Sequence, residues 1–219
     1  MGITRIKFGE LEGGANVSPD ITQSISRSVS YMPDFESYLV GLFGFAMSVE
    51  AANSGAAKPY GEEDTVMLGC RQSNSNWYWR PAPTIEMIAK NVSISHLYLE
   101  RFEGTTQPND DNLTLGALET LLFNLGQSLG VNYFERSKPQ VIQKFGDVSN
   151  WPDVWNFARI VRNSMSHGGK VHFDNPNANP VSWRGLVYAP SNNGRRILHT
   201  DIWPGDLFDL ITELEQAII

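Results

Sequence analysis

The segment from residue 162 to residue 168 places Arg162, Asn163 and His167 within six positions of one another. Histidine suits proton transfer near neutral pH because the pKa of a free imidazole is about 6.5. Arginine suits phosphate binding because its planar guanidinium stays charged and donates to two oxygens at once. RNA carries its own nucleophile, the 2′-hydroxyl, so these side-chain types match the chemistry of RNA cleavage. Asn163 can orient the imidazole or bind a phosphate oxygen.

A helix that begins at about Trp151 is predicted to carry these residues. At 3.6 residues per turn its apolar positions form one stripe that faces a core: Val154, Phe157, Ala158, Val161 and Met165. The opposite side is polar: Asn156, Arg159, Asn163, Ser166 and His167. Gly168 and Gly169 then end the helix. We therefore expect the imidazole, amide, hydroxyl and guanidinium groups to gather at a helix end.

The pattern Arg162-Asn163-x-x-x-His167, followed by Gly168, resembles the Rx4H motif of the HEPN superfamily. The resemblance implies a helical bundle and a metal-independent endoribonuclease of toxin-antitoxin or phage-defence systems, with Arg162, Asn163 and His167 as catalytic residues. It also implies a homodimer whose composite active site takes the motif from both protomers, and products that end in a 2′,3′-cyclic phosphate. An antitoxin partner, often nucleotidyltransferase-like in this family, is a further expectation. No metal or cofactor is required in that scheme.

Three further residues are candidates for substrate binding: Arg159, Ser166 and Lys170. Arg159 and Ser166 share the polar side of the helix but lie outside the family pattern. Residues 151–200 contain six Lys and Arg against two Asp, a local excess of +4 in a chain whose net charge is −7. Such a basic region can mark an anion site. Ordinary fluctuation of charge, and capping of the helix C-terminus by His167, are the alternatives.

Composition places limits on other kinds of chemistry. The lone cysteine, Cys70, excludes an internal disulfide framework. His167, His172 and His199 lack the compact spacing of a zinc site, and no glycine loop of the P-loop type is present. We find no apolar run of the roughly 20 residues that a membrane span needs and no signal-peptide pattern at the start, so we expect a cytoplasmic protein with no membrane partner.

Periodicity predicts a mainly α-helical fold, a HEPN-like bundle of about five helices with a small β-hairpin before the C-terminal helix. The helical stripes cover about 35–52, 83–103, 114–131, 139–145, 151–167 and 204–218. The hairpin is expected from alternation over 181–188, a turn at 192–194 and a returning strand to His199. We predict a single domain over 1–219, with an irregular segment at 1–32, a long loop insertion at 53–83 and a hairpin insertion at 170–203.

A function of another class stays open. The chain can be a non-catalytic HEPN-like module that binds a nucleotide, RNA or a protein partner. That alternative gains if Arg162 and His167 are buried in mutual hydrogen bonds. The enzyme hypothesis predicts that His167→Ala removes activity while the fold and the dimer survive.

Overall fold

The structure, a computed structural model, describes residues 5–8, 21–54, 61–104, 117–198 and 200–219. The chain divides into two compact units, residues 1–70 with 74–113 and residues 71–73 with 114–219. Parts of the irregular segment predicted at 1–32 and of the loop predicted at 53–83, the start of the helix predicted at 114–131, and His199 lie outside the described residues.

The first unit contains a five-stranded sheet and two helices. In chain order its elements are β1 (Arg5–Phe8), β2 (Ile21–Ser26), α1 (Met32–Ser54), β3 (Thr65–Cys70), β4 (Ser75–Trp79), α2 (Pro81–Ala89) and β5 (His96–Glu103). The strand order is β1-β3-β4-β5-β2. β1 runs parallel to β3, and the other neighbours are antiparallel. The sheet is therefore mixed.

Strands β3 and β4 of this sheet are buried on both faces. Every residue of β3 and β4 is buried. The aromatic side chains of β4 fill both sides, and Trp79 contacts Phe43 of α1 edge to face, with ring centroids 6.3 Å apart. On α1 the buried residues Phe35, Leu39 and Leu42 recur at helical spacing. Apolar burial of this kind stabilises the unit by roughly 25 cal/mol per Å² of surface removed from water.

The second unit is built from three helices and a two-stranded hairpin. Its elements are α3 (Ala117–Phe145), α4 (Asp153–Ser166), β6 (Val181–Trp183), β7 (Leu186–Tyr188) and α5 (Pro204–Ile218). The three helices pack on one another, and β6 packs on α4. Trp155 of α4 is fully buried, and its indole N–H donates to the carbonyl of Leu214 at 3.0 Å.

The hairpin turns at Arg184 and Gly185. Both residues have positive φ, 46° and 82°, which is the conformation of a two-residue type I′ turn. Arg184 is held there by ion pairs to Asp209 at 2.5 Å and Glu213 at 2.6 Å. The small hairpin before the last helix therefore exists, but its strands are joined at residues 184–185, and the turn that does form at 192–194 is not part of it.

The expectation of a mainly α-helical, HEPN-like bundle is wrong, because the described residues form a mixed α/β fold with a five-stranded sheet. The predicted helix over 83–103 is α2 followed by strand β5, and the predicted loop over 53–83 contains β3 and β4. The two helices predicted at 114–131 and 139–145 are one helix, α3, that continues through Pro139.

The predicted single domain over 1–219 stays a prediction. None of the helices in the described ranges is long and apolar enough to cross a lipid bilayer.

Candidate active site

Helix α4 buries four of the five residues of the predicted apolar stripe, and the fifth, Val154, is partly exposed. Its buried residues are Trp155, Phe157, Ala158, Ile160, Val161, Ser164 and Met165. Phe157 stacks on Tyr188 of β7, with ring centroids 5.3 Å apart and an interplanar angle of 14°. Asn163 is partly exposed, and Ser166 and His167 are exposed. Burial of one side of α4 therefore presents the polar residues of the motif to solvent.

A two-glycine turn ends α4 at the motif histidine. The N–H groups of His167 and Gly169 donate to the carbonyl of Ser164 at 3.0 and 2.8 Å. Gly168 and Gly169 have φ of 67° and 75°, a left-handed conformation that favours glycine. A Cβ atom on Gly169 would lie 2.7 Å from Cε2 of Phe123. The left-handed backbone favours glycine at both positions. At position 169 a side chain would also collide with Phe123.

After this turn the chain pairs with residues 194–197. The N–H of Val171 donates to the carbonyl of Arg195 at 2.8 Å, and the N–H of Ile197 donates to the carbonyl of Gly169 at 2.9 Å. Val171 and Phe173 are buried, whereas Lys170 and Asp174 are exposed and His172 is partly exposed. Alternation along this extended segment therefore places Lys170, His172 and Asp174 on its outer side.

The pairing brings His172 back to the end of α4. The rings of His167 and His172 lie face to face, with centroids 3.7 Å apart and an interplanar angle of 22°. Nε2 of His172 lies 2.9 Å from Oδ1 of Asp174. The candidate site therefore contains two imidazoles in contact, one of them paired with a carboxylate.

Arg162 forms an ion pair with a side chain of another helix. Its Nε lies 2.7 Å from Oε1 of Glu135 on α3, and both side chains are partly exposed. The contact is an ion pair without the directed geometry of a hydrogen bond. Within the part of the chain that the structure describes, no hydrogen bond or ion pair joins Arg162 or Asn163 to His167. The three predicted catalytic residues share one helix end but form no mutual contact there.

Of the three predicted substrate-binding residues, Arg159 is the most enclosed. Burial lowers the pKa of its guanidinium, and the nearby negative charge of Asp174 partly opposes that shift. Its Nε is buried and has no hydrogen-bond partner among the described residues. Ser166 is exposed at the last position of α4. Lys170 is exposed and lies across from Arg196 in an antiparallel bridge, so two cations occupy neighbouring positions.

The site does not have the geometry of a metal centre. His167, His172 and Asp174 are all described, and their ligand atoms do not converge as three ligands of one ion must. His172 directs one ring nitrogen to a carboxylate instead. What the cluster offers is proton transfer and anion binding.

No protein-family model, curated protein or solved structure matches this chain. The resemblance to the HEPN superfamily therefore rests on the motif residues 162–168.

The sequence-based prediction does not place His172 or Asp174 in the site: it considers His172 only as a zinc ligand and counts Asp174 only toward the local charge. The available signal was their spacing: two residues apart, they share one side of an extended segment that follows the glycine turn. The sequence does not indicate that Glu135 belongs to the site, because its contact with Arg162 depends on the packing of α3 against α4.

Proposed function

We propose that this protein is a metal-independent endoribonuclease that cleaves RNA by attack of the 2′-hydroxyl on the adjacent phosphate. The observation that supports the proposal most is the exposed imidazole of His167 at the rigid C-terminus of α4, with cationic side chains on the same helix and on the segment that follows it. Such an imidazole is accessible to substrate, and its backbone is fixed by the turn.

In the proposed reaction His167 accepts the proton of the 2′-hydroxyl. The 2′-oxygen forms a bond to phosphorus as the bond from phosphorus to the 5′-oxygen breaks. The products are a 2′,3′-cyclic phosphate and a 5′-hydroxyl. Arg162 and the candidate binding residues Arg159 and Lys170 stabilise the charge on the phosphorane oxygens. Ser166 and Asn163 contribute hydrogen bonds to phosphate or to the imidazole.

The ion pair between Arg162 and Glu135 limits this role until RNA binds. A phosphate oxygen must share or replace the Glu135 carboxylate as the partner of Arg162. Both side chains are partly exposed, so the pair is weak, roughly 0–1 kcal/mol. A phosphate that receives two hydrogen bonds from a guanidinium can compete with it.

The biological setting is proposed from the resemblance. The enzyme acts in the cytoplasm in a toxin-antitoxin or phage-defence context, as a homodimer, and an antitoxin partner holds it inactive. RNA is its substrate.

The ion pair between Arg162 and Glu135 also favours a second candidate function, that of a non-catalytic module that binds a nucleotide, RNA or a protein partner. In that case Arg162 is structural, and Arg159 and Lys170 bind the ligand. Replacement of His167 would then leave RNA binding intact, and no cleavage would be seen with any variant.

The test is cleavage of a mixed RNA substrate by purified protein in EDTA, with His167→Ala and His96→Ala in parallel. His96 is an exposed histidine on β5 of the first unit, so it controls for the loss of an imidazole elsewhere. We expect wild type and His96→Ala to produce cyclic phosphate ends, and His167→Ala to lose activity by about 100-fold or more. Retained cleavage by folded His167→Ala would refute the proposal.

A further inference from the structure

The contact between His167 and His172 supplies a second proton-transfer group that the motif does not contain. The two rings are five residues apart in sequence and are brought together by the turn at Gly168 and Gly169. RNA cleavage needs two proton transfers, one from the 2′-hydroxyl and one to the departing 5′-oxygen. One imidazole serves only one of them in a given step.

Asp174 gives the two histidines different roles. A carboxylate accepts hydrogen bonds and donates none, so Nε2 of His172, 2.9 Å from Oδ1 of Asp174, carries a hydrogen. The exchangeable proton of His172 is then on Nδ1. The carboxylate therefore orients this ring and determines which of its nitrogens exchanges a proton. His167 has no carboxylate partner in the described part of the chain.

The backbone holds His172 in this position. Backbone hydrogen bonds fix the residue before His172. The N–H of Val171 donates to the carbonyl of Arg195, and the N–H of Gly194 donates to the carbonyl of Val171. The side chain of Asn193 fixes the residue after His172. It accepts a hydrogen bond from the N–H of Phe173 at 2.8 Å and donates one to the carbonyl of Phe173 at 3.1 Å. The buried side chains of Val171 and Phe173 anchor the same segment. A surface histidine held this way is pre-organised.

We propose that His172 is the general acid and His167 the general base of one site within a single chain. This inference rests on the proposed ribonuclease function. His167 takes the 2′-hydroxyl proton as the bond from the 2′-oxygen to phosphorus forms. The proton on Nδ1 of His172 passes to the 5′-oxygen as its bond to phosphorus breaks. Afterwards His167 is protonated and His172 neutral, and exchange with water restores both.

The surroundings of the two rings support this division of labour, because the carboxylate of Asp174 contacts His172 and orients it, whereas the imidazole of His167 is exposed at the helix end. Lys170, on the same side of its segment as His172, and Arg159, near Asp174, lie where they can receive the phosphate.

The test compares two substrates of one sequence. One is ordinary RNA, and the other has sulfur in place of the 5′-oxygen at the cleavage site. A thiolate leaves without protonation, so the second substrate does not need a general acid. We expect His172→Gln to lose about 100-fold or more on ordinary RNA and to recover most of that loss on the thiolate substrate. His167→Gln should lose activity on both substrates. His96→Gln is the matched control.

The outcomes separate the inference from the proposed function. If wild type cleaves neither substrate, the ribonuclease proposal fails. If wild type cleaves and folded His172→Gln equals it, or if the thiolate substrate restores nothing, His172 is not the acid. If His172→Gln does not fold, Asp174→Asn is the second variant. It keeps the His172 ring and tests whether the pair of His172 and Asp174 supplies the acid. It should lower kcat on ordinary RNA more than on the thiolate substrate, and equal losses on both would overturn the role of Asp174.

A mixing experiment tests the single-chain assignment. Equal amounts of His167→Gln and His172→Gln are unfolded and refolded together, so that about half of any dimers contain both variants. We expect no recovery of activity, because no chain then holds both rings. Recovery would show that the two rings of a site come from different protomers and would overturn the assignment.

Discussion

At the scale of single residues, Arg162 shows how a predicted catalytic side chain depends on a neighbour that sequence spacing does not reveal. Its guanidinium lies beside the carboxylate of Glu135, 27 positions earlier in the chain. For a phosphate-binding arginine, this carboxylate is a competitor. Its removal should therefore strengthen substrate binding rather than weaken catalysis.

Glu135→Gln should lower the KM for RNA by a factor of about 1.4 to 5 and leave kcat unchanged. This range follows from the roughly 0.2–1 kcal/mol that exposed ion pairs contribute. Steady-state cleavage at low ionic strength measures the effect, and added salt should diminish it. Glu86→Gln on α2 removes the same charge at an exposed position of the first unit and controls for net charge. An equal fall in KM for both variants would show that Glu135 does not compete with phosphate.

Residue types and spacing were enough to select Arg162, Asn163 and His167 and to place them on the polar side of a helix. They were not enough to find the partners of these residues. His172 reaches His167 through a glycine turn and a pairing with residues 194–197, and Glu135 reaches Arg162 through helix packing. Both contacts are consequences of tertiary structure, and nothing in the local pattern of residues 162–168 encodes them.

At the scale of elements, the turn after α4 determines whether the two imidazoles meet. Gly168 and Gly169 both have left-handed backbones, but they differ in surroundings. Nothing lies within 4 Å of a Cβ atom added to Gly168, whereas one added to Gly169 approaches the ring of Phe123 on α3. The two glycines therefore allow a matched comparison of backbone strain with and without steric conflict.

Gly168→Ala should destabilise the protein by about 1–2 kcal/mol, the cost of a left-handed backbone for a residue with a side chain. Gly169→Ala should cost more, because the new methyl group must displace Phe123, and it should reduce cleavage beyond its effect on folding by separating His172 from His167. Thermal melts and cleavage rates measure both effects. In the double variant, Phe123→Ala should restore part of the stability that Gly169→Ala loses. If the stability losses of the two single variants simply add in the double variant, the new methyl group does not clash with Phe123.

Elements were predictable where one face is apolar and the other polar. Helices α4 and α5 have such stripes, and their positions, like that of α1, agree with the periodicity. β3 and β4 have no such stripe, because both of their faces are buried, and the Gly, Asn, Ser and Pro residues around them predict a loop. In β5 the buried Leu97 and Leu99 alternate with exposed His96 and Tyr98, but the apolar positions nearby also fitted a helical period.

At the scale of the whole molecule, the chain carries a net charge of −7 and buries some of its acidic groups. Asp206, at the start of α5, is the most enclosed, with no exposed surface. Burial raises the pKa of its carboxyl to about 7, against the opposing effect of hydrogen bonds from the backbone N–H groups of Trp203, Gln72 and Arg71. The nearby charge of Asp209 adds to the increase. Folding therefore favours the protonated form of this group.

This shift predicts how stability changes with pH. The folded protein binds the Asp206 proton more tightly than the unfolded chain, in which the pKa is 3.8. The stabilising contribution is therefore complete below about pH 4 and is lost as the pH rises to about 7. At about 1.4 kcal/mol per pKa unit the change is on the order of 4 kcal/mol. Asp206→Asn cannot titrate, so its melting temperature relative to wild type isolates the effect.

We expect the excess in melting temperature of wild type over Asp206→Asn to grow as the pH is lowered from 8 to 4. The variant also loses a hydrogen bond, because its amide N–H₂ faces a backbone donor, but that loss is the same at every pH. Asp147→Asn, at an exposed position of the same unit, is the control and should show no such trend. A constant difference between wild type and Asp206→Asn across this range would mean that the donors of residues 71, 72 and 203 hold the carboxylate ionised, and that the buried end of α5 tolerates a full negative charge.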